Sequence, residues 1–113
     1  MNFAEYQKAA TATADYPSKG SNLLYPALGL AGESGEVVDK IKKLWRNKGK
    51  TMPQQLTPEE KAELVMEISD VMWYVAALSE ELNVSMEEVA RLNIEKLMDR
   101  KTRGVIKSAG DNR

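Results

Sequence analysis

Histidine and cysteine are both absent from the 113-residue sequence. The lack of cysteine excludes disulfides, thiolate metal sites and a cysteine nucleophile. The lack of histidine excludes the usual zinc ligand sets, the Glu-x-x-His pairs of helical di-iron sites and an imidazole base in a catalytic triad. Any acid–base or metal chemistry must therefore come from carboxylates, lysines, tyrosines or bound water.

Other features that the sequence lacks exclude some classes of binding partner and indicate where the protein is located. The formal net charge is −1, so nothing indicates binding to nucleic acid or to an anionic membrane. No apolar run approaches the roughly 20 residues that span a bilayer, and the N-terminus lacks the pattern of a signal peptide. With 42% hydrophobic and 29% charged residues, the composition fits a globular protein. We expect one cytoplasmic domain over residues 1–113, with 104–113 as a polar tail.

The alternation of apolar and polar residues that is typical of a β-strand is also missing, and the apolar residues recur with helical periodicity. Four helices are predicted, over about residues 2–14, 24–48, 57–82 and 85–102. Thr57 and Ser85 each precede a glutamate by three positions, which predicts a capping box at the start of the third and fourth helices. The predicted fold is all-α and resembles a four-helix bundle.

The two central helices each carry an apolar stripe that we expect to form the core. Together these stripes hold more apolar surface than one short four-helix monomer hides, which predicts a homodimer or homotetramer. The stripe residues are Leu30, Val37, Val38, Ile41, Leu44 and Trp45 in the second helix and Leu64, Ile68, Val71, Met72, Val75, Leu78 and Leu82 in the third.

Four acids lie directly beside these stripes. Glu33 and Glu36 form an E-x-x-E pair in the second helix, and Glu67 and Asp70 form an E-x-x-D pair in the third. Two helices packed side by side would bring all four to one edge of the core. Ligands that are all oxygen suit Mg²⁺, Mn²⁺ or Ca²⁺, and Mg²⁺ commonly takes substrate phosphates as further ligands. The pattern favours polyphosphate chemistry, and the alternative is a solvated acidic edge.

Two glycines interrupt the helix at the first acidic pair. Glycine in a helix costs about 1 kcal/mol relative to alanine, so Gly32 and Gly35 call for an explanation. One explanation is that they clear side chains from around Glu33 and Glu36, which lets a ligand or another helix approach. The other is ordinary helix packing through small residues, and the periodicity leaves both open.

The segments LGLAGESGEVVDKIKK, EISDVMWYVAALSEELNVSMEEVARLN and NIEKLMDRKTRG resemble the MazG-like nucleoside triphosphate pyrophosphohydrolases, in particular their short phage-type and bacterial single-domain members. The resemblance implies Mg²⁺-dependent cleavage of a (d)NTP to the monophosphate and pyrophosphate, with Mn²⁺ as an alternative metal. It implies that Glu33, Glu36, Glu67 and Asp70 hold the metal, and that one of them or Glu63 positions the attacking water. Some relatives have a further glutamate where this chain has Gly32, which leaves the general base open.

Residues of the fourth helix match the pattern N-x-x-K-x-x-x-R of the same family. By this resemblance Asn93 contacts the nucleotide, and Lys96 and Arg100 face its phosphates. Tyr74, one turn after Asp70, is a candidate for contacting the base or the sugar. Each has a structural alternative: Asn93 can bond to a neighbouring helix, the two cations can interact with the helix dipole, and Tyr74 can pack in the core.

Two other functions stay open. One is a non-catalytic helical module whose acidic edge binds a metal structurally or docks a basic partner. The other is a member of the same superfamily that acts on phosphoribosyl-ATP, on dUTP or dCTP, or on a modified nucleotide. Turnover of any nucleotide would exclude the non-catalytic module. A panel of substrates would show whether the enzyme prefers one of these other nucleotides.

Overall fold

The computed structural model describes residues 1–50 and 55–104, and it forms four α-helices there. They are α1 (Phe3–Thr13), α2 (Leu24–Asn47), α3 (Pro58–Glu81) and α4 (Met86–Arg103). Since this part of the chain contains no strand, the predicted all-α fold is confirmed. Residues 105–113 of the predicted tail lie outside the described residues, and the single domain stays a prediction. None of the four helices is long and apolar enough to cross a lipid bilayer.

The helix ends follow from local sequence. Asn2 caps α1 by accepting a hydrogen bond of 2.8 Å from the Glu5 N–H. Thr57 and Glu60 form the predicted capping box, with a Thr57 Oγ1 to Glu60 N distance of 3.1 Å and a reciprocal bond of 2.9 Å. Gly104 ends α4 in the left-handed conformation, at φ 75°.

The capping box predicted for α4 is only half formed. Ser85 accepts the expected hydrogen bond from the Glu88 N–H, at 3.0 Å. The Glu88 carboxylate bonds to Arg91 instead of reaching back to the cap. The prediction of the reciprocal bond was wrong because a guanidinium is a stronger partner for a carboxylate than a backbone amide.

Helix α3 is central because each of the other helices packs against it. In the described residues α1 and α4 contact α3 and each other, whereas α2 contacts α3 alone. The radius of gyration is 17.0 Å, compared with about 13 Å for a compact chain of this length. The four helices therefore form an open arrangement, and the groove between α2 and α3 is not covered by α1 or α4.

The buried core is small and lies where α1, α3 and α4 meet. Ala10, Ala76 and Met86 form its buried cluster, and Ala76 is fully buried. Small side chains at such a crossing let helices approach closely, but they remove little apolar area from water. The residues that pack around this cluster are Tyr6, Trp73 and Val75.

Many stripe residues that we expected in the core are exposed in the single chain. The exposed fraction is 65% for Val38, 53% for Ile68 and 55% for Leu82. The stripes are therefore only partly buried within one chain, because periodicity identifies an apolar face but not the element that covers it. Ile41, Trp45 and Met72 are also exposed, whereas Leu30, Val37, Leu44, Leu64, Val71, Val75 and Leu78 are half-buried.

A buried glutamine joins α1 to the turn between α3 and α4. The Gln7 side chain donates to Glu80 Oε1 at 2.9 Å and to the Val84 carbonyl at 3.0 Å. Its Oε1 accepts a hydrogen bond of 2.8 Å from the Met86 N–H. Only 6% of Gln7 is exposed, so these bonds are largely shielded from water.

We expect Gln7→Leu to lower the free energy of unfolding by about 2–4 kcal/mol, because each buried backbone group left without a partner costs about 1–3 kcal/mol. Urea denaturation followed by circular dichroism measures the change. Lys8→Leu, an exposed substitution on the same helix, is the control and should stay within about 0.5 kcal/mol of wild type. A Gln7→Leu protein as stable as wild type would contradict the assigned role.

Candidate metal and nucleotide site

Three of the four predicted acids meet between α2 and α3. Glu33, Glu67 and Asp70 each offer one carboxylate oxygen, and these oxygens lie within 4.8 Å of one another. Glu33 and Glu67 are half-buried, and Asp70 is exposed. We call these three residues the acid cluster. With oxygen ligands at about 2.0–2.6 Å from the ion, they can share one hard divalent cation.

The fourth acid, Glu36, lies beside the acid cluster but is not one of its three members. Glu36 is exposed and, like Glu67, lines a groove of about 300 Å³ between α2 and α3. Glu63 lines the same groove one turn before Glu67. The structure thus brings three of the predicted ligands together and leaves Glu36 and Glu63 at the edge.

The acid cluster is electrostatically self-repelling. Partial burial, followed by the negative charges of Asp70, Glu67 and Glu36, raises the pKa of Glu33 above its ordinary value. A raised pKa means that the ionised carboxylate is disfavoured unless a positive charge offsets its neighbours. Only oxygen ligands are present and they have excess negative charge, so the residues fit a divalent metal.

Lys40 brings one positive charge to this region. Its Nζ lies 3.6 Å from Glu67 Oε1 and 3.8 Å from Glu63 Oε2. The Lys40 side chain is 33% exposed, because it lies along the groove rather than on the outer face of α2. The cation therefore reaches an acid of the cluster from the side of the groove.

Tyr74 lies next to the acid cluster within a row of aromatic rings. Its ring centroid is 6.4 Å from that of Tyr25, which in turn stacks on Tyr16 at 4.7 Å. Burial raises the pKa of Tyr74 most, followed by the Tyr25 hydroxyl and the charges of Glu33 and Asp70. The half-buried Tyr74 ring packs against Gly29 of α2 and is close enough to Glu33 and Asp70 to feel their charges.

Packing against Tyr74 requires the glycine at position 29. A Cβ atom built on Gly29 would lie 2.0 Å from Tyr74 Cε1, so the tyrosine ring fills that space. A Cβ on Gly32 or Gly35 would meet nothing within 4 Å in the described residues. Packing inside one chain thus explains Gly29 but neither of the other two. Gly29 was missed from sequence, although it lies one turn before Glu33 on the same helix face.

Comparison with known protein families decides the identity of the fold. The model of the MazG nucleotide pyrophosphohydrolase domain matches residues 23–105, which include α2, α3 and the acid cluster.

The chain belongs to the MazG family.

It is also similar to the Gene 37 protein of Mycobacterium phage L5, at 44% identity over 118 aligned positions that cover 100% of both chains. No solved structure matches the chain.

In this MazG chain the predicted substrate residues of α4 are not among the residues that line the groove. Asn93 and Lys96 are exposed, and Arg100 is only 6% exposed. Within residues 1–50 and 55–104, α4 does not contact α2, and the groove is lined by residues of α2 and α3. Asn93, Lys96 and Arg100 are not among the residues that line the groove, and their roles stay predictions.

A carboxylate at the end of α3 fixes the segment that leads into α2. Glu81 accepts hydrogen bonds from the Tyr16 hydroxyl at 2.6 Å and from the N–H groups of Gly20 and Asn22 at 2.7 Å each. Tyr16 is buried, and its ring stacks on Tyr25. Through these bonds α3 positions the aromatic row beside the acid cluster. No sequence pattern marked Glu81, since its partners are 59 to 65 positions away.

The same bonds make this part of the MazG fold sensitive to acid. The Tyr16 hydroxyl, and then the N–H groups of Asn22 and Gly20, lower the pKa of Glu81 from its ordinary value of 4.5. Because the folded pKa is below the unfolded one, the stabilisation is complete above the unfolded pKa and is lost as pH falls through the folded pKa.

We therefore expect Glu81→Gln to lower the Tm at pH 7, and the difference from wild type to shrink below about pH 4. Thermal unfolding between pH 7 and pH 3 measures both. Glu95→Gln, on the exposed side of α4, is the control and should give a small difference across this range. Equal Tm values for Glu81→Gln and wild type at pH 7 would refute the role of Glu81.

Proposed function

We propose that this protein is a nucleotide pyrophosphohydrolase that depends on a divalent metal and cleaves a (d)NTP to the (d)NMP and pyrophosphate. The observation that carries the proposal is the acid cluster, whose three carboxylate oxygens lie within 4.8 Å of one another. It occurs in a chain of the MazG family. Mg²⁺ is the proposed metal and Mn²⁺ the alternative, because both prefer oxygen ligands.

The acids divide into two roles in this proposal. Glu33, Glu67 and Asp70 would hold the metal, with Glu36 as a further ligand once the site is loaded. Bound there, a divalent cation would neutralise phosphate oxygens and lower the pKa of a coordinated water. Glu63 borders the groove as an exposed carboxylate, so it can accept the proton that the attacking water loses, and Glu36 is the alternative base if it does not bind the metal.

The remaining predicted residues would bind the nucleotide. Tyr74 borders the acid cluster, which supports a contact with the base or the sugar. Asn93 and Lys96 are exposed on α4, and we propose that they contact the nucleotide and its phosphates. Arg100 is buried within its own chain, which favours a role in fixing α4 over direct contact with a phosphate.

We further propose that two copies of the chain complete the site. Within the described residues of one chain α4 does not contact α2, and Lys96 does not line the groove, so we propose that Lys96 acts at the groove of a second copy. Exposed apolar side chains on α2 and α3, such as Val38 and Ile68, supply a surface for that copy. The open space at Gly32 and Gly35 supports the same arrangement. A homodimer is the smallest such assembly, and a homotetramer is the alternative.

Incubation with a nucleotide panel tests the activity. The panel contains the NTPs, the dNTPs including dUTP and dCTP, phosphoribosyl-ATP and a modified nucleotide, each with Mg²⁺, with Mn²⁺ or with EDTA. Products are separated by anion exchange, and phosphate released by added pyrophosphatase is quantified. We expect at least one nucleotide to give the monophosphate and pyrophosphate, and EDTA to stop the reaction. No turnover of any nucleotide, with a Tm unchanged by Mg²⁺, would favour a non-catalytic interaction module.

A further inference from the structure

Lys40 holds its acidic partners more loosely than the neighbouring lysines do. Its Nζ lies 3.6 Å from Glu67 Oε1 and 3.8 Å from Glu63 Oε2, beyond ordinary hydrogen-bond length. Lys43 and Lys48 instead contact their own carboxylate partners at 2.8 Å and 2.9 Å. Lys40 thus lies between two acids without a short bond to either.

The position of Lys40 connects it to the acid cluster. Its partner Glu67 is also a cluster member, and the Glu67 side chain is only 18% exposed. At such partly buried positions charges interact more strongly than in water. The Lys40 ammonium therefore offsets part of the repulsion among the acids when no metal is bound.

We propose that Lys40 is the exchangeable counter-ion of the site: it neutralises Glu67 and Glu63 in the metal-free protein and moves to a phosphate oxygen when metal and triphosphate bind. The inference rests on the proposed function. A dication shared by the acid cluster would repel an ammonium held 3.6 Å from Glu67. The flexible four-carbon stem of Lys40 lets the ammonium turn towards the groove, where a bound polyphosphate supplies new negative charge.

This exchange has two opposite consequences for affinity. Lys40 competes with a metal that binds alone, because both cations use Glu67. The same side chain assists a metal that arrives with a polyphosphate, because its ammonium then has a phosphate partner. A residue that only stabilises the fold would shift both affinities in the same direction.

Lys40→Met tests the proposal, since methionine keeps an unbranched stem and a similar helix propensity. Mn²⁺ alone is titrated into the protein by electron paramagnetic resonance of the free ion. We expect Lys40→Met to bind Mn²⁺ about three- to tenfold more tightly, because one repelling charge is gone. Inorganic triphosphate with Mg²⁺, measured by calorimetry, should bind about three- to tenfold more weakly. For the nucleotide, KM should rise more than kcat falls.

Lys43→Met is the matched control, because Lys43 lines the same groove but pairs with Asp39 at 2.8 Å. The affinities of Lys43→Met for Mn²⁺ alone and for triphosphate with Mg²⁺ should stay within about twofold of wild type. Lys40→Gln repeats the test if the methionine variant has a lowered Tm. Unchanged or weaker Mn²⁺ binding by the Lys40 variants, with a wild type that binds Mn²⁺ and hydrolyses nucleotides, would overturn the inference alone. A wild type that does neither would overturn the proposed function and this inference with it.

Discussion

Asp70→Asn will lower kcat/KM for the preferred nucleotide by about a hundred- to ten-thousandfold, since it removes one charged ligand from the acid cluster that we propose holds the metal. Asparagine keeps the shape of the side chain, so the fold should be retained. The metal-free variant should be at least as stable as wild type, because the substitution removes one of the charges that raise the pKa of Glu33. We expect Mg²⁺ to raise the Tm of wild type, and this rise should be absent in the variant.

Steady-state kinetics and thermal unfolding with and without Mg²⁺ measure these effects together. Asp15→Asn is the matched control, since it makes the same chemical change at an exposed position outside the groove. Its kinetics and its response to Mg²⁺ should equal those of wild type. An Asp70→Asn protein that keeps more than about a tenth of wild-type activity would rule out Asp70 as an essential ligand.

Mixing two inactive variants will restore about a quarter of wild-type activity if α4 of one copy completes the groove of the other. The variants are Asp70→Asn and Lys96→Ala, unfolded together and refolded as a mixture. Random pairing makes about half of the dimers mixed, and each mixed dimer contains one site with no substitution. If Lys96 served its own chain, every site in a mixed dimer would carry one substitution, and activity would stay low.

A second mixture provides the control for this experiment. Asp70→Asn and Glu67→Gln alter the same acid cluster, which lies within one chain, so each site of a mixed dimer carries one substitution and no site is left whole. This mixture should stay inactive whichever chain supplies Lys96. Verified mixed dimers of the first pair without restored activity would exclude a shared site. Light scattering that shows only a stable monomer would exclude it as well.

Helix positions and the acid cluster were accessible from sequence because both depend on short spacings. Thr57 and Glu60 are three positions apart and form their capping box without help from the rest of the chain. The E-x-x-E and E-x-x-D spacings likewise place acids on one helix face. Three of the four acids then meet because α2 packs on α3.

The features that sequence could not supply depend on which helices touch. Val38 and Ile68 have the periodicity of core residues, but no described element of the chain covers them. Gln7 and Glu81 have partners more than 55 positions away, so no local pattern marks either side chain. Gly29 could have been recognised by its spacing of one turn from Glu33, but the ring that requires it is on another helix.

Because α2 contacts only α3 among the described helices, much of the apolar face of α2 is left exposed in one chain. If two copies pair through that face, thermal stability will depend on protein concentration, and dilution will weaken it. Newly synthesised chains would then have little catalytic activity until their concentration is high enough for them to pair. While pairs are scarce, catalytic output would grow with roughly the square of the number of chains. Activity would thus require a minimum concentration of the protein itself.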